Sequence, residues 1–210
     1  MSWWEHAYRS GHVMWDPGAY DGHLPWLLSS YDIEPCRVLD PGCGNGKSAV
    51  WLAEQGFHAV GIDMAPSAVS QAKRLARVHG VEERTEFYQA RLPCDVPISR
   101  SRNVFAGGRY DLIIERAFIQ HLGHGAALRK TVELLAHALS PSGVFYSLMI
   151  ATEGASGRWG ITRWSEDEIR AAVEPSFRIV EMRLDVFTPE EPGSVSAWIT
   201  VMRPKRRRNA

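Results

Sequence analysis

The sequence is poor in cysteine: 210 residues hold three, Cys36, Cys43 and Cys94. An odd number at irregular spacing cannot make a complete disulfide framework, so a small disulfide-stapled domain is excluded. Free thiols in a reducing compartment are expected instead. Long apolar runs are also missing. The longest, near Phe145 to Ala151, falls far short of the ~20 residues that cross a bilayer, so no membrane span is expected. The N-terminus, Met1-Ser2-Trp3-Trp4-Glu5-His6, has no basic region leading into an apolar stretch and does not read as a signal peptide. A cytoplasmic chain is expected.

Net charge is absent too, with 24 basic against 24 acidic residues. Five of the positive charges sit together at the C-terminus, on Arg203, Lys205, Arg206, Arg207 and Arg208. Without them 19 basic residues face 24 acidic ones. An enzyme acting on nucleic acid carries its basic surface on the folded body. Residues 203–210 therefore read as a solvated basic tail, and nucleic acid is not an expected partner.

What is present is globular. Apolar residues make up 45% and charged residues 23%, ordinary values for a single folded domain over 1–210. Short apolar runs alternate with segments of helical spacing. Strands are expected at Arg37–Asp40, His58–Asp63, Thr85–Gln89, Tyr110–Glu115, Val144–Ile150, Phe177–Phe187 and Ala197–Met202. Helices are expected from Gly46 to Gln55, from Pro66 to about His79 and from Ala126 to Leu139. Pro141-Ser142-Gly143 reads as a turn. Ser165 with Glu168 forms a capping box for a further helix, and Ser2 with Glu5 a similar one at the start. This alternation predicts an α/β fold: a doubly wound, mostly parallel seven-stranded sheet, Rossmann-like, with an N-terminal helical lid over 1–36.

The informative segment is Val38-Leu39-Asp40-Pro41-Gly42-Cys43-Gly44-Asn45-Gly46-Lys47-Ser48. A strand runs into three glycines and then a helix, so backbone can approach a ligand closely at a helix N-terminus. Three ligand classes compete. A dinucleotide loop needs glycine at 47, where Lys47 stands. A P-loop needs glycine at 41, where Pro41 stands and removes an N–H that would cradle phosphate.

The third pattern fits. Asp40 followed by Gly42, Gly44 and Gly46, with Asp63 ending the second strand 23 residues on, resembles the first motifs of class I S-adenosylmethionine (SAM)-dependent methyltransferases. That resemblance implies SAM as cofactor. It implies that Asp40 orders the loop and holds the methionine amino group, and that Gly42, Cys43 and Gly44 give close backbone approach. It further implies that Asp63 binds the ribose and that Met64 lies against adenine. The family often has an acidic residue after the third strand. Gln89-Ala90-Arg91 stands there instead, so adenine is expected to be read by backbone at Ala90 or Arg91, or by Gln89. The end of the fourth strand, Glu115-Arg116-Ala117-Phe118, faces cofactor and substrate in that family.

No Asn/Asp-Pro-Pro-aromatic motif follows the fourth strand, as amino-methylating enzymes for adenine or glutamine would have. The Pro-Cys pair, Pro93-Cys94, follows the third strand rather than the fourth. No metal site is expected, because His121-x-x-His124 reads as a helix-end pair. Four of eight tryptophans, Trp3, Trp4, Trp15 and Trp26, lie in the first 36 residues with Tyr8, His12 and Tyr20. That arrangement is similar to the thiopurine- and tellurite-type branch, where N-terminal aromatics close over SAM, and Trp15 is accordingly a cofactor contact. Tyr8, His12, Arg116 and Trp159 are the expected acceptor contacts, with His121 and Glu115 the candidate catalytic groups. The expected reaction moves a methyl group to a small-molecule thiol, hydroxyl or amine, in a monomer or homodimer. Two alternatives remain open from the sequence: a non-catalytic SAM-binding regulator, and an RNA methyltransferase using the basic tail.

Overall fold

Seven strands carry the fold, in a computed structural model that describes residues 2–13, 15–16, 18–93, 104–105, 109–154, 162–188 and 194–205. They group into two compact units, residues 1–94 and 95–210.

The first unit opens with α1 (Trp3–Ser10) and α2 (Leu24–Ser30). Then come β1 (Arg37–Pro41), α3 (Lys47–Glu54), β2 (His58–Asp63), α4 (Pro66–Val78) and β3 (Thr85–Gln89). The strands lie in the order β3-β2-β1 and all pair in parallel. The helix that follows each of the first two strands makes this the expected βαβ winding. On α4 the buried residues Ala68, Val69, Ala72 and Ala76 recur at helical spacing, and three of the four are alanines. The small stripe lets α4 pack close to Phe87 of β3 and to Ala49 and Val50 of α3. Gly46, at φ +80, belongs to the same contact: a Cβ there would stand 2.7 Å from Ala72 Cβ and 3.0 Å from the Phe87 ring.

The second unit holds β4 (Tyr110–Arg116), α5 (Ala126–Ala138), β5 (Leu139–Ile150), α6 (Glu166–Val173), β6 (Phe177–Val186) and β7 (Ser196–Pro204). Their order is β4-β5-β7-β6. β4 and β5 are parallel, while β7 is antiparallel to both neighbours. Parallel pairing thus predominates, with an antiparallel hairpin closing the chain, and the class is Rossmann-like α/β. Phe145 and Phe177 pack with ring centroids 5.0 Å apart, and Trp164 is fully buried.

Two local expectations are corrected. β5 begins at Leu139, ahead of the Pro141-Ser142-Gly143 turn. Tyr110 pairs with Leu139 and Leu112 already with Val144, so the turn residues bulge from the ladder and pairing resumes beyond them. The capping box at Ser165 and Glu168 is complete, but only half of the one at Ser2 forms. Ser2 accepts from Glu5 N, while the Glu5 carboxylate turns away to Ser67. Among the described residues no helix is long and apolar enough to cross a membrane.

Candidate cofactor site

The site of the first unit is built on the exit of β1. Gly42 N and Cys43 N both donate to Ile62 O, at 2.7 and 3.0 Å, which folds the loop against the end of β2. Gly42, Gly44 and Gly46 all have positive φ, at 76°, 55° and 80°. Asp40 is buried at the base of the turn. Cys43 points its thiol at Gly44 O, 3.7 Å away. Burial, with the nearby carboxylates of Asp40 and Asp63, pushes that thiol up, so it stays protonated and unreactive.

Asp63 ties the pieces together. One carboxylate oxygen accepts from Gly44 N at 3.0 Å and the other from Ala65 N at 2.8 Å. Its own carbonyl accepts from Ala90 N at 3.0 Å, which sets the end of β3 beside it. Burial raises its carboxyl above the usual range, although the backbone amides of Ala65, Gly44 and Met64 pull the other way. A carboxylate accepts about four hydrogen bonds in all, so after these amides there is acceptor capacity for added hydroxyls. That donor demand fits a ribose.

The N-terminal segment straps this loop. The Glu5 carboxylate accepts from Ser67 N at 3.0 Å and Ser67 Oγ at 2.7 Å, capping the first turn of α4. Gln71 Nε2 donates to Tyr8 O at 3.0 Å. Tyr8 is 6% exposed, and its hydroxyl stands 2.5 Å from where a Cβ on Gly44 would sit. Trp15 Nε1 donates to that hydroxyl at 3.3 Å, and Trp3, Trp4 and Trp15 pack with centroids 4.7–5.1 Å apart. Burial first, then the charge of Asp63, holds the Tyr8 hydroxyl well above its ordinary value, so it stays protonated.

Asp16 completes the strap. It accepts from Asn45 Nδ2 at 2.6 Å and from Lys47 Nζ at 2.6 and 2.8 Å. Burial alone would raise its carboxyl, but the bonds from Lys47, Gly18 and Asn45 hold it below the usual range. Lys47, which stands where a dinucleotide loop has glycine, is therefore engaged with a carboxylate. Asp16→Ala removes all four of its side-chain bonds, one each from Gly18 and Asn45 and two from Lys47. Native-state hydrogen exchange of α1 is then expected to speed up about tenfold, or roughly 1.4 kcal/mol, while β6 and β7 keep their protection. Unchanged exchange in α1 would show that the tether carries nothing.

The structure brings Tyr8, Trp15, Gly42, Cys43, Gly44, Asp63 and Ala90 together. Met64 is half-buried beside them in sequence, and Arg91 is exposed one residue beyond Ala90. His12 is exposed and joins no described contact of the strap. Trp159 lies outside the described residues. Sequence reasoning missed Glu5, Asp16, Asn45, Lys47 and Ser67. Asp16 ahead of Pro17-Gly18 carries a turn signal, and nothing local points to Lys47, 31 residues away.

In the second unit, Glu115 is fully buried at the end of β4. One oxygen accepts from Phe118 N at 2.5 Å and Ile119 N at 2.9 Å; the other accepts from Ser147 Oγ. These bonds order the turn that follows, in which Ala117 has φ 59°. Arg116 stacks its guanidinium 3.8 Å from the Phe187 ring centre and donates to Phe187 O and Thr188 Oγ1. His121 lies in the one-turn helix Ile119–Leu122, and desolvation lowers its pKa, so its imidazole is neutral at pH 7.

A Rossmann-like fold, three left-handed glycines after β1 and an acidic residue at the end of β2 bonded to the second of them define a SAM-dependent methyltransferase. The methyltransferase-domain family matches residues 34–181, and the chain belongs to that family. It is similar to the ubiquinone biosynthesis O-methyltransferase of Xylella fastidiosa, 30% identical over 122 residues. That match covers 57% of this chain and 44% of the relative, so the chain spans under half the length of that protein. Among solved structures, the 1,6-didemethyltoxoflavin-N1-methyltransferase of Burkholderia thailandensis, with S-adenosylhomocysteine bound, superposes with a TM-score of 0.70 at 20% identity, covering 96% of this chain and 85% of that one. A TehB-like SAM-dependent methyltransferase from Corynebacterium glutamicum gives 0.64 at 18% identity, covering 95% and 96%. At these identities the two structures speak to the fold.

Proposed function

We propose that this chain transfers the SAM methyl group to a small, partly apolar acceptor in the cytoplasm, with residues 1–36 acting as a lid. The observation that carries the reading is the placement of the Tyr8 hydroxyl, itself bonded by Trp15, against Gly44, whose N–H donates to the Asp63 carboxylate. In this reading Asp63 accepts the ribose hydroxyls, Gly42 to Gly44 and Asp40 take the methionine end, and Met64, Ala90 and Arg91 flank adenine.

The sulfonium supplies an already activated methyl group. What the protein adds is alignment of the acceptor and exclusion of water, and orientation alone is worth on the order of 7–11 kcal/mol at its upper end. The tryptophan cluster of the strap supplies the apolar cover. Tyr8, His12, Arg116 and Trp159 are the proposed acceptor contacts. A thiol acceptor needs little help with its proton, whereas a hydroxyl needs a base. Neutral His121 serves that role, and Glu115 acts as a positioning residue that fixes the turn carrying it.

Calorimetry with SAM and S-adenosylhomocysteine tests the first half of the proposal; binding of NAD or ATP in their place would sink it. Labelled methyl transfer to a panel of thiols, phenols and amines tests the second, and cofactor binding with no transfer would favour a regulator. The pH dependence has a definite sign. Ribose hydroxyls donate to ionised Asp63, whose pKa burial has raised. Affinity is therefore complete above that raised value and falls as pH drops through it, by up to about tenfold per pH unit. A flat affinity from pH 7.5 down to pH 3.8, the ordinary aspartate value, would contradict the ribose role.

A further inference from the structure

A second concave surface, in the second unit, shares no residue with the cofactor site. In the β6–β7 ladder Arg178 stands directly opposite Arg203. Like charges in direct cross-strand register repel. Elsewhere on the same strands and on the helix before them arginines are neutralised: Arg183 bridges Glu181 and Asp185, and Arg170 bridges Glu166 and Glu174. Among the described residues Arg178 and Arg203 have no carboxylate partner. Arg203 is instead aimed by its bond to Ser142 O, on the bulge of β5. Lys205 adds a third cation, held beside the start of β6 by its N–H to Ser176 O at 2.9 Å. These three line an open cavity of about 640 Å³ with Pro141, Ser142 and Pro204, and among the described residues no carboxylate lines it.

We propose that Arg178, Arg203 and Lys205 form a binding site for an oligophosphate, a group of two or more linked phosphates. Guanidinium forks match phosphate oxygens in pairs, and a bound anion relieves the repulsion between the two arginines. The cavity of about 640 Å³ has room for more than one phosphate, and its three cations match the greater negative charge of linked phosphates. The two proline rings give the cavity a stiff wall without N–H donors that would need satisfying.

The test uses the full chain and inorganic pyrophosphate and triphosphate as probes. Calorimetry is expected to show binding that weakens with salt and is at least tenfold weaker in Arg178→Ala and in Lys205→Ala, with SAM affinity unchanged. Arg178 is exposed, and its loss removes a repulsion. The variant should therefore melt no lower than the parent, and pyrophosphate should raise the melting temperature of the parent alone. A chain ending at Lys205 should keep the binding. No heat at millimolar probe, an Arg178→Ala affinity equal to the parent's, or loss of binding only on removing residues 206–210 would each overturn the proposal. So would tight binding of a single-stranded RNA oligonucleotide without binding of pyrophosphate, which would mark a polymer-binding surface.

Discussion

Asp63→Ala is expected to weaken SAM binding at least a hundredfold, or about 3 kcal/mol, with the fold retained. Two contributions add. The side chain offers its remaining acceptor capacity to the ribose, and hydrogen bonds to a charged group are worth ~1.5–3 kcal/mol each. It also holds Gly44 N and Ala65 N, so its loss loosens the glycine loop, which then keeps only the bonds of Gly42 N and Cys43 N to Ile62 O at the end of β2. A thermodynamic cycle separates the two. S-adenosylhomocysteine and its 2′,3′-dideoxy analogue are titrated against parent and variant. If Asp63 reads the ribose, the substitution costs far less affinity for the dideoxy analogue. Equal losses would assign Asp63 to loop ordering alone. Asp63→Asn is expected to resemble the alanine variant, because one of its two positions becomes an N–H facing a backbone N–H.

Asp63 is legible in the sequence because glycine and strand-end residues leave strong local marks. A strand that runs into glycines must turn there, and an acidic residue at the end of the next parallel strand must lie beside that turn. The alternation of strands and helices is legible for the same reason, since periodicity is a local property. Tertiary competition for a side chain leaves no such mark. Glu5 has the spacing of a capping box, yet Ser67, 62 residues on, takes its carboxylate. Asp16 looks like a turn residue and is one, accepting from Gly18 N, but its larger engagement is with Asn45 and Lys47. β5 reads short because a proline and a glycine resemble a strand end, whereas a bulge lets the ladder pass them.

Glu115 shows a subtler limit. A strand buried on both faces reads as a continuous apolar run, so its sequence does not tell which way its terminal residue points. The expectation of a group facing cofactor rests on family position. The bonds seen are to the strand's own following turn and to Ser147.

Glu115→Ala should therefore act through stability. Removing the carboxylate leaves the amides of Phe118 and Ile119 and the hydroxyl of Ser147 without their acceptor, in a place with no exposure. Each orphaned buried group costs ~1–3 kcal/mol, and truncating one side of a buried polar network costs about 3–5 kcal/mol in total. Against a whole-domain stability of roughly 5–15 kcal/mol this is a large fraction. In a chain of this size it corresponds to a fall of about 10 °C in Tm. Glu115→Gln separates geometry from charge. The amide keeps an acceptor for the two backbone N–H groups and offers an N–H to Ser147 Oγ, so a loss under about 1.5 kcal/mol is expected. Calorimetric melting of the three proteins decides: a glutamine variant as unstable as the alanine variant would mean that the turn depends on the negative charge. An alanine variant that melts with the parent would mean that water replaces the carboxylate, and the turn carrying His121 would then owe its shape to β4 and β5 alone.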